Sequence, residues 1–560
     1  MNPLRVERLQ APLPILFALL VVLWTVPPGI YPLGALAATA LLAALGAALL
    51  MNPRLQATAE RNLLLVLLIP LALSFPQALD RGEAVDRLVL MGGALLVFAA
   101  SRRLRADEAR GVLLLLVSAG ALLALHGFWQ YLDGLPRMLQ EVAAGSPEAA
   151  RLSSLRIFAR FVLPSVFASF LLLAAPVALG LARAGRGWRR LLPAAAAAAM
   201  GLALLLTRSH GAFAALLAMV FLWSLIAARR RSRWTLTALA VALLGFLVVS
   251  WSRDGIVTAG LDGPAVLRWR NYQTAVAMFL DRPVAGSGGG GYGAAYPAYR
   301  LPGDNETRFV HNSYLQLLVE HGLTILLPLG AVLMVWGRAV RRAARTAPPP
   351  LAGVAFGLGA FLLHNLVDFS GLLPATLWTA CALAGLLVGQ LDAGGLPGQA
   401  VPGRSDTRLK TLSWVAPLVL ACGFGLFAAL SRDAVARGQQ FILDESPGEA
   451  LAAAREAGEW APWRAAPYLL EAEILLHNQD LEGEESAWDA YRAASMALRR
   501  APAWPAAHAV RAVAAAALDA PGLAAADLQR AADLYPLARG YRRQLDVLAR
   551  RLDEQGEGQP

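Results

Sequence analysis

Lysine is all but missing from this chain. Of its 50 basic residues, 49 are arginine and one is Lys410, a bias that reflects genome composition more than chemistry. Cysteine occurs only at Cys381 and Cys422. Both lie inside apolar runs, which argues against a disulfide framework and a thiolate metal site. Charge as a whole is scarce, 16% against 57% hydrophobic residues over 560 positions, which is not the balance of a soluble protein. The glycine run from Gly286 to Gly291 lacks the closing Gly-Lys-Ser/Thr of a Walker A loop, so a phosphate loop of that kind is excluded. The polar segment around it has no Asp-x-Asp pair, and Asp262, Asp281 and Asp304 are scattered. Neither a metal nor a cofactor is therefore expected.

What the sequence does have is apolar runs of membrane-spanning length, which needs about 20 residues per helix. Thirteen are counted, near 12–32, 33–50, 62–79, 87–101, 111–132, 158–182, 189–206, 211–228, 234–251, 322–340, 350–368, 371–392 and 412–430. The first is read as a retained helix, because no cleavage site and soluble chain follow it. With the N-terminus inside, the inner segments carry 23 basic residues and the outer ones 13, six of them in one long loop. Long loops translocate largely regardless of charge, so the bias fits an inner N-terminus and an outer loop and C-terminus. The net charge of +11 thus reports topology, and no nucleic-acid partner is expected.

The expected fold is all-α: a polytopic membrane bundle of about twelve to thirteen spans, a long periplasmic loop and a soluble helical repeat domain. Residues 1–251 form the N-terminal spans, 252–321 the loop, 322–430 the remaining spans and 431–560 the outer domain. That last part is Ala-, Glu- and Arg-rich, with 14 basic and 20 acidic residues. Pro502 and Pro536 lie 34 positions apart; Ala490, Ala494 and Ala497 precede the first at the intervals by which Ala524, Leu528 and Ala531 precede the second. A 34-residue period with small residues at helix crossings resembles the tetratricopeptide repeat, which implies a possible protein partner. The plainer alternative is an Ala-rich helical bundle.

The chemistry concentrates in the long loop. It holds Arg268-Trp-Arg-Asn-Tyr272, the glycine run followed by Tyr292, and His311-Asn-Ser-Tyr. The glycines read as a close-approach turn that admits backbone or a bulky substrate, with a flexible tether as the alternative. A lone histidine at a helix start is usually a cap, but here it shares a loop with Arg268 and Arg270. Histidine suits proton abstraction, and arginine holds phosphate oxygens with paired donors. Thr207-Arg-Ser-His-Gly-Ala212 and His364-Asn-Leu-Val-Asp368 fall on the same expected face, and ionisable residues at span ends are functional candidates. The site expected from this convergence has His311 and Arg268 as catalytic residues. Arg208, His210, Arg270, Asn312, Tyr292, His364 and Asp368 are its substrate contacts.

Together these pieces resemble the bacterial O-antigen ligase and O-antigen polymerase superfamily of integral-membrane glycosyltransferases. The matching stretches are Leu206-Thr-Arg-Ser-His-Gly-Ala, Arg268 with an aromatic residue four positions on, Arg282-Pro-Val-Ala-Gly-Ser-Gly, and His311-Asn-Ser-Tyr-Leu-Gln-Leu-Leu-Val-Glu-His-Gly-Leu, within roughly 190–392. His210 departs from the pattern, standing where the family usually has arginine. The resemblance implies a glycan donor linked to undecaprenyl or another polyprenyl diphosphate, handed directly to an acceptor hydroxyl at the outer face of the bacterial inner membrane. The acceptor would be lipid A core, in lipopolysaccharide synthesis, or a growing polysaccharide; a protein hydroxyl is the alternative. A lipid-linked sugar transporter would put polar groups at mid-span and show paired repeats. A non-catalytic scaffold would leave the Arg/His loop without a role.

Overall fold

The computed structural model describes residues 12–25, 32–51, 69–143, 145–161, 163–226, 264–393, 407–477 and 484–556. These fold into helices and turns, with no strand among them. Among the described residues six helices are long and apolar enough to cross a membrane, including Arg81–Ser101, Ala106–Glu141, Pro164–Ala184 and Ser313–Thr346. Shorter apolar helices at His210–Ile226 and Pro349–His364 pack among them. The protein is thus an all-α, multi-pass membrane protein. The thirteen runs read from hydropathy include one, 234–251, that lies outside the described residues.

Glycine sets how closely the bundle helices cross. The Pro164–Ala184 and Pro349–His364 helices pack more extensively than any other pair. A Cβ at Gly353 would sit 2.3 Å from the Pro176 carbonyl oxygen, and one at Gly357 would sit 2.9 Å from those of Leu172 and Leu173. Small residues one turn apart let two backbones meet in this way where no hydrophobic effect drives helices together. The crossing fixes the end of the second helix, so that His364 Nδ1 lies 2.6 Å from Ser169 Oγ, both buried.

Ion pairs mark the two ends of the bundle. At one end Arg102 and Arg342 both meet Asp392. At the other, where the Arg81–Ser101 helix begins, Asp86 pairs with Arg432 and Arg464 of the C-terminal part. The long loop contacts the C-terminal part as well, through Arg300 and Tyr535. Loop and C-terminal helices therefore occupy the same face.

The bundle joins the C-terminal helices through one unbroken 37-residue helix, Thr407–Leu443. Beyond it the helices Pro447–Trp460, Ala466–His477, Glu484–Arg500, Pro505–Ala517, Pro521–Leu534 and Arg539–Gly556 pack each on the next. Ala490, Ala494, Ala497, Ala524 and Ala531 are all buried at these crossings, where a larger side chain would force the helices apart.

Candidate functional site

From residue 264 onward the long loop is folded. It comprises the helices Pro264–Asp281 and Gly291–Tyr299, an irregular strap from 300 to 312, and the helix Ser313–His321. Its middle packs as solidly as a protein core. Tyr292 is fully buried among Ala275, Met278, Tyr296, Val310 and Val319. The glycine run does make a close approach, but what it approaches is protein. A Cβ at Gly286 would lie 2.4 Å from the Glu320 backbone, at Gly288 2.3 Å from Ala78 Cα, and at Gly290 2.5 Å from Glu83 Cβ. Three of these glycines also have φ of +71°, +84° and +72°, a region other residues adopt at a cost. The turn thus admits protein backbone, one of the two occupants expected there, and Tyr292 packs into the same core.

A buried ion pair locks the same region. Arg87 Nε lies 2.9 Å from Glu320 Oε2, with the side chains 8% and 0% exposed. Gln316 Nε2 donates to Glu320 Oε1 at 2.8 Å, and His321 Nδ1 meets Ser74 Oγ at 2.8 Å. These groups hold the loop onto the bundle. Arg87 opens the apolar run near 87–101, and its partner Glu320 lies far away in sequence. A charge inside an apolar run was the available signal.

The flanks of the loop are built differently. Ser313 donates from its backbone N–H to the carbonyls of Asn365 and Asp368, both at 3.0 Å, and from Oγ to Asn365 Oδ1 at 2.7 Å. Phe309 stacks on Phe369, with ring centroids 4.2 Å apart and planes at 10°. These contacts clamp the strap to the turn after His364. His311, held between them at φ +64°, stands edge-on to Phe369 with centroids 5.1 Å apart. A non-glycine residue in that region is an uncommon, strained conformation that persists only where its surroundings enforce it.

Tyr272 brings in the other flank. Its hydroxyl donates to the His311 carbonyl at 3.1 Å and lies 3.5 Å from that of Leu366. Arg268 is one turn earlier, and residues four apart share a helix face, so the anchored tyrosine carries the arginine to the same place. Arg268 and Asp368 both lie within electrostatic reach of His311, Tyr272 and His364. Four residues expected at the site are thereby brought together: Arg268, His311, His364 and Asp368. The segment from Thr207 joins them through Gly211, where a Cβ would meet Val367 Cγ2 at 2.9 Å and His364 Nε2 at 3.3 Å. That puts His210 at the rim.

Three expected contacts are already engaged within the protein. Asn312 Oδ1 accepts from the N–H groups of Tyr314 and Leu315 and so caps their helix. Arg270 faces Asp304 at 3.5 Å. Arg208, at φ +49°, donates to the Ser154 carbonyl at 3.1 Å. Arg156 donates back to the Thr207 carbonyl, which straps these two outer turns together.

What remains unpaired is chemically telling. Among the described residues Arg268 has no hydrogen-bond or ion-pair partner, and it is half-buried. His311 Nδ1 and Asp368 Oδ2 are buried without a hydrogen-bond partner. Asp368 is fully buried, and its other oxygen accepts from Ser370 Oγ at 2.8 Å. Buried polar atoms are nearly always satisfied; Arg87 Nε, Glu320 Oε2, His321 Nε2 and Tyr292 Oη also lack hydrogen-bond partners, so what marks this place is the unpaired guanidinium beside the histidine. Burial and then the Arg268 guanidinium push the His311 imidazole down to about 4, with Asp368 opposing. His311 is thus neutral at physiological pH and able to take a proton, beside a guanidinium free to hold an anion. No group of three or more metal-ligating side chains occurs among the described residues.

Residues 195–330 match the family model described as O-antigen ligase. The match takes in the Thr207 turn, Arg268, the glycine run and His311, and stops short of His364 and Asp368. No curated protein matches the chain. With the apolar helices, the family match supports a membrane glycosyltransferase-like role in polysaccharide biosynthesis.

Proposed function

We propose that this chain transfers a glycan from a polyprenyl diphosphate to an acceptor hydroxyl at the outer face of the bacterial inner membrane, as a ligase or polymerase of the O-antigen type. The observation that carries the reading is the unpartnered Arg268 guanidinium set beside a neutral His311 where the outer loop meets the bundle. The acceptor oxygen bonds to the anomeric carbon of the donor sugar as the bond from that carbon to the diphosphate oxygen breaks. The electron pair leaves with the diphosphate, and the acceptor's proton passes to His311. Arg268 holds the departing diphosphate, whose charge grows as the bond breaks. One such donor is typically worth about 10²–10³ in rate and a general base about 10²–10⁴.

Electrostatics couples the two roles. The positive charge of Arg268 lowers the basicity of His311, and a diphosphate at Arg268 offsets that charge. His311 thus becomes a stronger base when donor is bound. Asp368 and His364 complete the inner wall, His210 and Arg208 the rim. The helices after Leu443 act as tetratricopeptide-like repeats that recruit a partner.

The test is transfer by purified protein supplied with the host's lipid-linked glycan, in the presence of excess chelator. Transfer is expected to proceed, since guanidinium groups supply the positive charge. Activity lost with chelator and restored by Mg²⁺ or Mn²⁺ would remove the metal-free mechanism. In a deletion strain, polymer stranded on the lipid carrier identifies a ligase, and single repeats without polymer identify a polymerase. Unglycosylated protein with normal polysaccharide identifies a protein acceptor. Reporter fusions at residues 300 and 500 should both read as periplasmic, and a cytoplasmic signal at 300 removes the basis of the proposal.

A further inference from the structure

A second cavity, of about 240 Å³, opens where the outer loop meets the C-terminal helices. Neither Arg268 nor His311 lines it. Its walls are Tyr296, Arg300, Glu306, Thr307 and Arg308 from the loop, and Tyr535 from just past the Pro521–Leu534 helix. Arg300 closes the seam by donating to Tyr535 Oη at 2.7 Å and to Glu306 Oε1 at 3.0 Å. The Tyr535 hydroxyl also donates to Glu306.

We propose that this crevice is a saccharide subsite, in which a sugar some way from the reacting bond is gripped between the loop and the C-terminal helices. The proposal rests on the transfer reaction above and assigns it a second point of substrate contact. Sugars offer hydroxyls that donate and accept in turn, along with ring faces of C–H groups. The crevice offers guanidinium donors, a Glu306 carboxylate that is 74% exposed, and two tyrosine rings. Arg308 is exposed and makes no hydrogen bond or ion pair among the described residues; its charge acts on Glu83 at a distance, which leaves its donors open to a ligand. The volume falls below the ~300–1,000 Å³ typical of sites for drug-sized ligands, which suits a single sugar ring.

The position relative to the reacting centre supports the same reading. Arg308 precedes His311 by three residues, a reach of at most ~11 Å along an extended chain. Tyr296 Oη donates to Asn271 Oδ1 at 3.2 Å, on the helix that carries Arg268. A short oligosaccharide with one end at His311 therefore has its next units within reach of the crevice. The saccharide belongs either to the donor or to a glycan acceptor, since both converge on His311.

The experiment uses the full chain in nanodiscs and, as probe, the oligosaccharide released from the host's own lipid-linked glycan, followed by saturation-transfer NMR. Wild type should bind it. Arg308→Ala should weaken binding about tenfold or more, which is ~1.4 kcal/mol, and Tyr535→Phe should weaken it less. In transfer assays Arg308→Ala should raise the KM of the donor if the subsite holds donor sugars, and that of the acceptor if it holds acceptor sugars. Absence of binding by wild type, or undiminished binding by Arg308→Ala, overturns the subsite. Binding that depends on Arg308 in a protein that performs no transfer would uphold the subsite and sink the transfer reading instead.

Discussion

In the middle of the outer loop, the glycines from Gly286 to Gly290 and the ring of Tyr292 meet protein on every side. At its two flanks, Arg268 and His311 keep polar atoms that nothing described in the protein satisfies. The two regions belong to one loop, each flank within 19 positions of the middle, so the contrast does not come from location. It comes from what each polar group was given to bond. Glu320 is buried, yet it is ion-paired with Arg87 and accepts from Gln316 at Oε1, and it serves as a fastening although its Oε2 has no hydrogen-bond partner. Asp368 is equally buried and also holds one oxygen without a partner, next to a histidine in a strained backbone conformation. Burial alone therefore does not separate scaffold from site, and neither does an unsatisfied atom, since Glu320 Oε2 and Tyr292 Oη lack hydrogen-bond partners too; what differs is that Arg87 is ion-paired while Arg268, beside His311, is not.

Substitutions should divide along the same line. The largest effect is expected at Arg268. Arg268→Ala should lower glycan transfer by about 10²–10³ with protein abundance unchanged, and Arg268→Lys should stay defective because an ammonium lacks the planar fork. A Lys variant with near wild-type turnover would reduce the role to a point charge. Next comes the fastening. Glu320→Ala leaves Arg87 as a buried unpaired charge, a loss of about 3–5 kcal/mol. Extractable folded protein should fall, while what survives transfers normally. Unchanged melting with lost turnover would move Glu320 into the site. Gly288→Ala, at φ +84° and 2.3 Å from Ala78 Cα, should destabilise by more than ~1 kcal/mol without altering kcat.

A smaller and more diagnostic effect concerns pH. The acid limb of kcat/KM reports the free enzyme's base. With His311 held down to about 4, that limb should fall near pH 4 and not near 6.5. The sign for stability follows from the same shift. An unfolded chain takes up the proton near pH 6.5 while the folded one does not, so His311 costs stability as pH drops through the window from about 6.5 to about 4. His311→Gln should melt less steeply with falling pH than wild type across that window. An acid limb at 6.5 would mean that His311 is solvated.

Hydropathy made the bundle legible, because a membrane forces backbone groups to bond within each span and leaves helices as the solution. The convergence of His311, His364 and Asp368 on one face was legible too, from ionisable residues at span ends. The glycine run was legible only as a close approach, with backbone or a substrate as the occupant, because glycine says that something comes close without saying what. Arg87 and Glu320 are 233 positions apart, and only the fold brings them together. Tyr272 stood in the quoted motif, but its hydroxyl bond to the His311 carbonyl is a property of two chain segments meeting. The Asn312 cap was readable from local spacing, since an asparagine before an apolar helix start is a favoured N-cap, and the presence of His311 beside it drew attention away.

The measurement that bears most directly on the account is the single-turnover transfer rate of His311→Ala beside wild type, in protein of matched melting temperature with saturating lipid-linked donor. The account predicts a fall of about 10²–10⁴ with donor binding retained, as for loss of a general base. A His311→Ala protein that transfers glycan at close to the wild-type rate would contradict it.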